Sequence, residues 1–253
     1  KFVKISVITV TYNCSEVLND CITSVKNQSY KNIEHLIIDG GSSNNTMKLL
    51  RANQHHFTVL VSEPDYGIYD AMNKGIKLAK GDVIGFLNSD DFYNNNEVLL
   101  RVANLFKSDA NLNACYADLV YTDKVNTSKI IRYWKPGEFI FGSFSKGWSP
   151  PHPTLFVRKS IYEQIGYFNL KYKISSDVDL MMRLLEVHKI RVRYIPELWI
   201  RMRLGGLSNK NLKNILKQNL DVLRALKSNN LTANPFSFFI HKIFLRAKQF
   251  LKI

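Results

Sequence analysis

The chain has 253 residues, 45% hydrophobic and 22% charged, an ordinary globular composition that leaves room for one large core. Its formal charge of +14 is unevenly placed, because Arg201 to Ile253 holds eleven Lys or Arg against the single acid Asp221. Such a segment predicts an anionic partner, either nucleic acid or an acidic membrane surface. Cys14, Cys21 and Cys115 show neither CxxC nor zinc spacing, which fits free thiols in a reducing compartment. Lys1 to Thr11 is too short for a signal peptide before the polar Tyr12-Asn13, and no apolar run approaches the ~20 residues of a transmembrane helix. The expectation is a cytoplasmic protein, peripheral at the inner face of the membrane.

In chain order, Ile5 to Val10 is a β-branched strand, followed by a helix capped at Ser15 with Val17, Leu18, Cys21, Ile22 and Val25 on its apolar face. The strand His35 to Ile38 stops at Asp39-Gly-Gly-Ser, and a helix near Thr46 to Ala52 leads to the strand Phe57 to Val61. A helix from Ile68 to Ala79 and the strand Val83 to Leu87 complete the first half. Strands alternating with helices predict an α/β fold with a mostly parallel, doubly wound sheet. Topology then gathers Tyr12-Asn13, Asp39-Gly40, Glu63-Pro-Asp65 and Asn88-Ser-Asp-Asp91 at the carboxyl ends of the strands. Beyond Asp91 the predicted elements are a helix from Asn96 to Lys107, strands Ala114 to Thr122, Ile130 to Trp134 and Thr154 to Arg158, a helix from Asp177 to Val187 and a strand Val192 to Ile195. Gly142 to Pro153 reads as a loop and Leu204 to Ser208 as a hinge, followed by a helix from Lys210 to Lys227 and a terminal amphipathic helix.

Asn88-Ser89-Asp90-Asp91 follows a buried strand, where carboxylates grip a hard divalent cation that also holds a diphosphate. Its alternative is a solvated turn or a cap at Asp91 for the next helix. In the right order, Thr9-Val-Thr-Tyr12-Asn13, Ile38-Asp39-Gly-Gly-Ser42, Ser62-Glu-Pro-Asp-Tyr-Gly-Ile-Tyr-Asp-Ala-Met-Asn-Lys-Gly75, Leu87-Asn-Ser-Asp-Asp91, His152-Pro-Thr-Leu-Phe, Gly166-Tyr-Phe-Asn and Asp177-Val-Asp-Leu-Met-Met-Arg183 resemble the family 2 glycosyltransferases of the GT-A fold, as found in bacterial polysaccharide and O-antigen synthesis.

That resemblance implies an inverting transfer of a hexose or N-acetylhexosamine from a UDP-sugar, with Mn²⁺ or Mg²⁺ as cofactor. It places Thr9, Tyr12, Asn13 and Asp39 at the nucleobase, and Asp65, Lys74, Asn88, Ser89 and Asp91 among the donor-binding residues. Asp90 becomes the principal metal ligand, because the first position of the family's DxD is Asn88 here and an amide oxygen is the poorer ligand. The family's usual arginine before the Asn of the fourth helix is Met72, with Lys74 or Asp70 as replacements. Asp177 is the general base, preceded by Ser176 where the family has Glu; its alternative is a helix cap. Asp179 and Arg183 fit an i,i+4 pair. His152, Arg201, Arg203 and Ser208 are expected at the acceptor or the phosphates, or else in structural roles.

Residues 1–208 are read as one catalytic domain, with the nucleotide-binding half up to about residue 92 and the acceptor half at 93–208, followed by a basic helical segment, 209–253. In the terminal helix Phe236, Phe239, Ile240, Ile243, Phe244, Ala247, Phe250 and Leu251 follow helical spacing, with Phe238, Leu245 and Ile253 widening the stripe. A basic amphipathic helix of that kind reads as membrane-interfacial, with a dimer contact or packing on the catalytic domain as alternatives. The partners that follow are a nucleotide-sugar donor, a lipid-linked saccharide acceptor and an anionic membrane, not nucleic acid, for which no signature is present. No G-x-G-x-x-G follows the first strand and no P-loop is present, which excludes a dehydrogenase or P-loop reading.

Overall fold

The computed structural model describes residues 2–205 and 212–250, without the side chains of 212–214. Its centre is β1 (Ile5–Thr11), buried along its whole length. A β-branched run of this kind suits a strand covered on both faces. Parallel to β1 lie β2 (Ile33–Asp39) and β4 (Val83–Phe86), and β3 (Val59–Ser62) adds to β2. The crossovers are α1 (Leu18–Lys26), α2 (Thr46–Ala52) and α3 (Ile68–Leu78), so the first half is the doubly wound unit that its sequence predicts.

The second half differs in kind. β5 (Asp91–Tyr93), α4 (Val98–Ser108), β6 (Ala114–Thr122), β7 (Ile130–Trp134), β8 (Phe156–Arg158), α5 (Lys159–Ile165), α6 (Ser176–Met182) and β9 (Val192–Arg203) follow. Along the nine-stranded sheet the order is β3-β2-β1-β4-β8-β6-β9-β5, with β7 on the other edge of β6. Here β8 runs antiparallel to β4 and β6, β7 to β6 and β5 to β9, while β6 and β9 are parallel. Alternate residues feed two cores. Ile8, Val10, Phe86 and Tyr116 pack under α3 and α6, and Ile5, Val7, Val83 and Cys115 pack under α4. Gly75 allows α3 its close approach, since a Cβ there would lie 2.5 Å from Cγ2 of Ile8.

Several boundaries moved for physical reasons. The helix expected from Ser15 begins at Leu18, with no side-chain cap. A short strand, β5, occupies the place where a helix capped by Asp91 was the alternative reading; its partner is the far end of β9. Pro196 made β9 look finished at Ile195, yet the strand continues to Arg203. The register jumps from Ile195–Ala117 to Leu198–Asp118, so Pro196 falls in a bulge where its missing N–H costs nothing. Arg183–Val187 continues α6 as a π turn, and Arg183 Nε donates to Asp179 Oδ2 at 3.0 Å, the expected i,i+4 pair.

Two more helices complete the described chain, α7 (Leu212–Ser228) and α8 (Pro235–Lys248). α8 starts on a built cap, with Asn234 Oδ1 accepting from the Ser237 N–H at 3.1 Å and Pro235 in the first turn. Val222, Ala225 and Leu226 of α7 and Phe238 of α8 join the core under α6. The apolar stripe of α8 is thus divided. Phe238 is fully buried, which corrects its expected place on an outer face, whereas Phe236, Ile240, Ile243 and Phe244 are exposed. Among the described residues no helix is long and apolar enough to cross a membrane.

Candidate active site

Thr11, Asp39 and Ser62 end three parallel strands in one register. Asp39 is fully buried, and its Oδ2 accepts from the N–H groups of Gly41 (3.1 Å) and Ser42 (2.9 Å) and from the Ser62 hydroxyl (2.6 Å). The Ser42 hydroxyl donates to its Oδ1. In this structure Asp39 therefore builds the turn, and its carboxylate is already satisfied. Asn13, at φ 50°, locks the neighbouring turn to it, its N–H donating to Ser42 Oγ (2.8 Å) and its Oδ1 accepting from the Ser43 N–H (3.0 Å). Tyr12 stands 64% exposed, so its ring is free to receive a flat ligand. A Cβ on Gly40 would lie 2.6 Å from Asp65 Oδ2 and 3.4 Å from Tyr12 Cδ2, so glycine lets that carboxylate and ring approach. Asp65 Oδ1 accepts from the Gly67 N–H (2.7 Å).

Two residues expected on the donor side are already engaged by the protein. Thr9 lies two residues short of the strand end, fully buried, and its hydroxyl bonds His35 Nε2 at 2.9 Å. Lys74 pairs with Glu63 at 2.8 Å and Asp70 at 3.8 Å and donates to the Pro64 carbonyl, which pins the loop between β3 and α3 instead of leaving a free cation. Met72 is a core residue.

After β4 the turn Asn88–Asp91 closes with the Asp91 N–H on the Asn88 carbonyl at 3.0 Å. Asp91 is fully buried, and Asn88 Nδ2 donates to its Oδ2 at 3.0 Å. Ser89 is buried and Asp90 partly so. Burial raises the Asp90 carboxyl above the usual carboxylate range, and burial together with the neighbouring Asp90 raises Asp91 well above it. Asp91 Oδ1 and Asn88 Oδ1 are buried without a hydrogen-bond partner. Crowded, desolvated acceptors of this kind suit a hard cation. Among the described residues no three His, Cys, Asp or Glu stand together as a complete metal site, so water and ligand phosphates would supply the remaining oxygens. Arg203 closes this corner, donating to the Asp90 carbonyl at 2.8 Å, pairing with Asp20 and covering the Phe92 ring.

Asp90, Arg203, His152 and Asp177 line one cleft of about 300 Å³. Asp177 sits in the first turn of α6, where Ser175 is the cap residue, so the carboxylate is free of the capping role. The Tyr69 hydroxyl lies 2.9 Å from Asp177 Oδ1 and 2.7 Å from the Ile174 carbonyl. The Tyr69 hydroxyl thus donates between the Asp177 carboxylate and the Ile174 carbonyl and ties α3 to the start of α6. Asn73 brings α3 to this place by bonding the backbone of Phe168 in both directions, at 3.0 and 2.9 Å. His152 is buried against Phe86 and Phe168, and that burial lowers its pKa, opposed only by Asp177. A neutral imidazole at pH 7 follows, not a phosphate-binding cation. Arg201 is directed elsewhere, donating to Asn94 Oδ1 (2.8 Å) and the Thr127 carbonyl (3.2 Å). Ser208 lies outside the described residues.

Four site residues were not foreseen from sequence: Tyr69, Asp20, Arg132 and Lys242. Tyr69 stood inside a recognised motif and was readable there. Arg132 and Lys242 also line the cleft, but they arrive from β7 and α8 by tertiary packing, and nothing in their neighbours signals it.

A sheet order of 3-2-1-4 leading into antiparallel strands, with its acidic turn at the carboxyl edge, defines a GT-A fold. Residues 6–166 match the model described as glycosyl transferase family 2, and the chain belongs to that family. A PGL/p-HBAD biosynthesis glycosyltransferase of Mycobacterium bovis is 30% identical over 208 residues, 81% of this chain and 78% of that one. S. aureus TarS 1–349 in complex with UDP-GlcNAc superposes with a TM-score of 0.66 at 17% identity, covering 98% of this chain and 71% of that one; the chain spans 43% of the longer TarS structure. The mannosyltransferase PcManGT from Pyrobaculum calidifontis, in complex with GDP-Man and Mn²⁺, gives 0.67 at 15% identity, covering 97% and 70%.

Proposed function

We propose that the protein transfers a hexose or N-acetylhexosamine, with inversion, from a UDP-sugar to a polyprenyl-diphosphate-linked saccharide in bacterial surface-polysaccharide synthesis. The observation that carries this reading is the placement of Asp90 and Asp177 on one cleft at the carboxyl edge of the sheet. Tyr12 stacks on the base, Asn13 and Asp39 shape the turns beneath it, and Asp65 and Ser89 flank the donor. Asp90 is the residue that would hold Mn²⁺ or Mg²⁺, and the ion would supply positive charge for the departing diphosphate. Asp177 accepts the acceptor hydroxyl's proton as that oxygen attacks the anomeric carbon from the face opposite the diphosphate, whose bond to that carbon breaks. The Tyr69 hydroxyl, donating to Asp177 Oδ1 at 2.9 Å, orients that carboxylate.

Residues 1–208 act as the catalytic unit, with the basic segment 209–253 serving the acceptor side. The exposed Phe236, Ile240, Ile243 and Phe244 of α8 rest on the cytoplasmic face of the membrane, or against a second copy in a homodimer. The test is UDP release from a panel of UDP-sugars with Mn²⁺, with excess EDTA, and with the Asp90→Ala variant. EDTA and Asp90→Ala should each lower turnover by about 10²–10³-fold, the usual cost of losing one electrostatic stabiliser. Undiminished turnover in EDTA would overturn the metal assignment.

A further inference from the structure

The cleft has a second chemistry that the donor and the base leave unused. Two carboxylates, Asp90 and Asp177, line it, against six cationic side chains: Arg132, Lys135, Arg203, Lys242, Arg246 and Lys248. Five of those lie on β7, just after β7, or on α8, whereas Tyr12, Asp39 and Asp65 of the nucleotide side do not line this space. The orientation of α8 explains the arrangement. Phe238 is fully buried, and one turn on, Lys242 packs against the loop at Gly147, where an added Cβ would meet Lys242 Cβ at 2.8 Å. Lys242, Arg246 and Gln249 then follow at helical spacing into the cleft. The Tyr133 N–H donates to the Gln249 carbonyl at 3.0 Å and fixes the end of the helix to β7.

Arg132 supplies the independent observation. It is 6% exposed, its guanidinium lies 3.7 Å from the centre of the Tyr121 ring, and its Nε is buried without a hydrogen-bond partner. Burial lowers the pKa of Arg132. Burial, and next the nearby Arg246, push Lys242 down to about 8, while Asp177 opposes the shift. A guanidinium buried with its Nε unbonded, as in Arg132, is unfavourable until an anion reaches it. Guanidinium and ammonium groups on one wall match the oxygens of a phosphate ester.

We propose that Arg132, Lys242 and Arg246 form a phosphate-binding subsite on the acceptor side of the cleft, which takes the phosphate or diphosphate ester carried by the acceptor. This rests on the glycosyltransferase reading and specifies which part of the acceptor the protein grips. α8 is on this account a wall of the active site, with its cationic face turned inward and its apolar stripe outward.

The same chemistry is present in the donor's diphosphate, so the test separates the two sources. Inorganic pyrophosphate is titrated calorimetrically into the full chain in excess EDTA, which removes any metal bridge at Asp90, with and without saturating UDP. Arg132→Gln and Lys242→Gln are measured in parallel, with melting curves for each. The subsite predicts pyrophosphate binding that persists under saturating UDP and weakens at least tenfold in each variant. Displacement by UDP would assign these cations to the donor. Absence of binding, or equal binding by a folded Lys242→Gln, would remove the subsite. Lys242 is only partly buried, so its variant decides the matter even if Arg132→Gln melts. UDP release from UDP-sugars by the wild-type chain, measured separately, shows whether the glycosyltransferase reading itself stands.

Discussion

The two halves of this sheet build their parts of the site in opposite ways. From Ile5 to Phe86 the strands are parallel, and each polar group sits in the turn that immediately follows its own strand. Asp39 exemplifies this, since all its partners are turn or strand-end atoms from neighbouring parallel strands. From Asp91 onward, Asp177, Arg132 and Lys242 meet in one cleft from α6, β7 and α8, elements far apart in sequence. The first half satisfies its charges with local hydrogen bonds. The second holds them partly out of water, facing a space. On the proposed reading, recognition of the nucleotide belongs to the local half and chemistry with the acceptor to the assembled half.

The sharpest way to break that contrast is Asp177→Asn. The variant keeps the side chain's size and its contact with Tyr69 while removing the proton acceptor. Transfer should fall by about 10²–10⁴-fold, with the UDP dissociation constant and melting temperature close to wild type. Retained turnover would leave Asp177 with a structural part only, and lost UDP affinity would mean that the halves are not separable.

The same contrast governs what the sequence made legible. The alternation of strand and helix through Leu87 identified the four parallel strands of the first half, because hydrophobic pattern and turn residues agree locally there. The burial of Thr9 against His35 was not legible, because motif position ignores how far short of the strand end a residue lies. β5 was hidden because three residues pair only with a partner more than a hundred positions later. β9 was cut short at Pro196, whose bulge is visible only once β6 lies beside it. Asp177 was singled out by its motif, but its contact with Tyr69, 108 residues away, is a tertiary fact. The stripe on α8 was read correctly as helical, yet periodicity cannot say which face turns inward. Phe238 and Lys242 settle that by packing on the loop around Phe144 and Gly147.

Tyr12→Ala tests the local half. If the exposed ring stacks on the base, its loss costs about 1–3 kcal/mol, as aromatic–base stacking usually does, and UDP should bind roughly 5- to 150-fold more weakly. Turnover at saturating donor should change little, since binding lost equally from ground and transition states appears in KM. A collapse of kcat with unchanged KM would place Tyr12 in the chemistry and blur the division between halves.

The smallest expected effect probes the assembled half through its charge. Lys242 has a folded pKa of about 8, below the usual 10.5, chiefly through burial and then through Arg246, with Asp177 of α6 acting the other way. Between those two values the unfolded chain binds the proton that the folded chain has released, so this residue makes stability rise with pH across the window. Below about pH 8 both states are protonated, and the cost of holding the ammonium beside Arg246 is fully present. Lys242→Gln removes the titration while keeping most of the stem. Subtracting its melting temperature from that of wild type cancels the buried tyrosines and cysteines that also titrate in alkali. The wild type should lag the variant most near pH 7, and the gap should close by roughly 2–4 °C between pH 8 and 10.5, the scale of about 1 kcal/mol in a chain of this size. A gap independent of pH would mean that Lys242 titrates as an ordinary surface lysine, and α8 would then not hold it in the cleft at all.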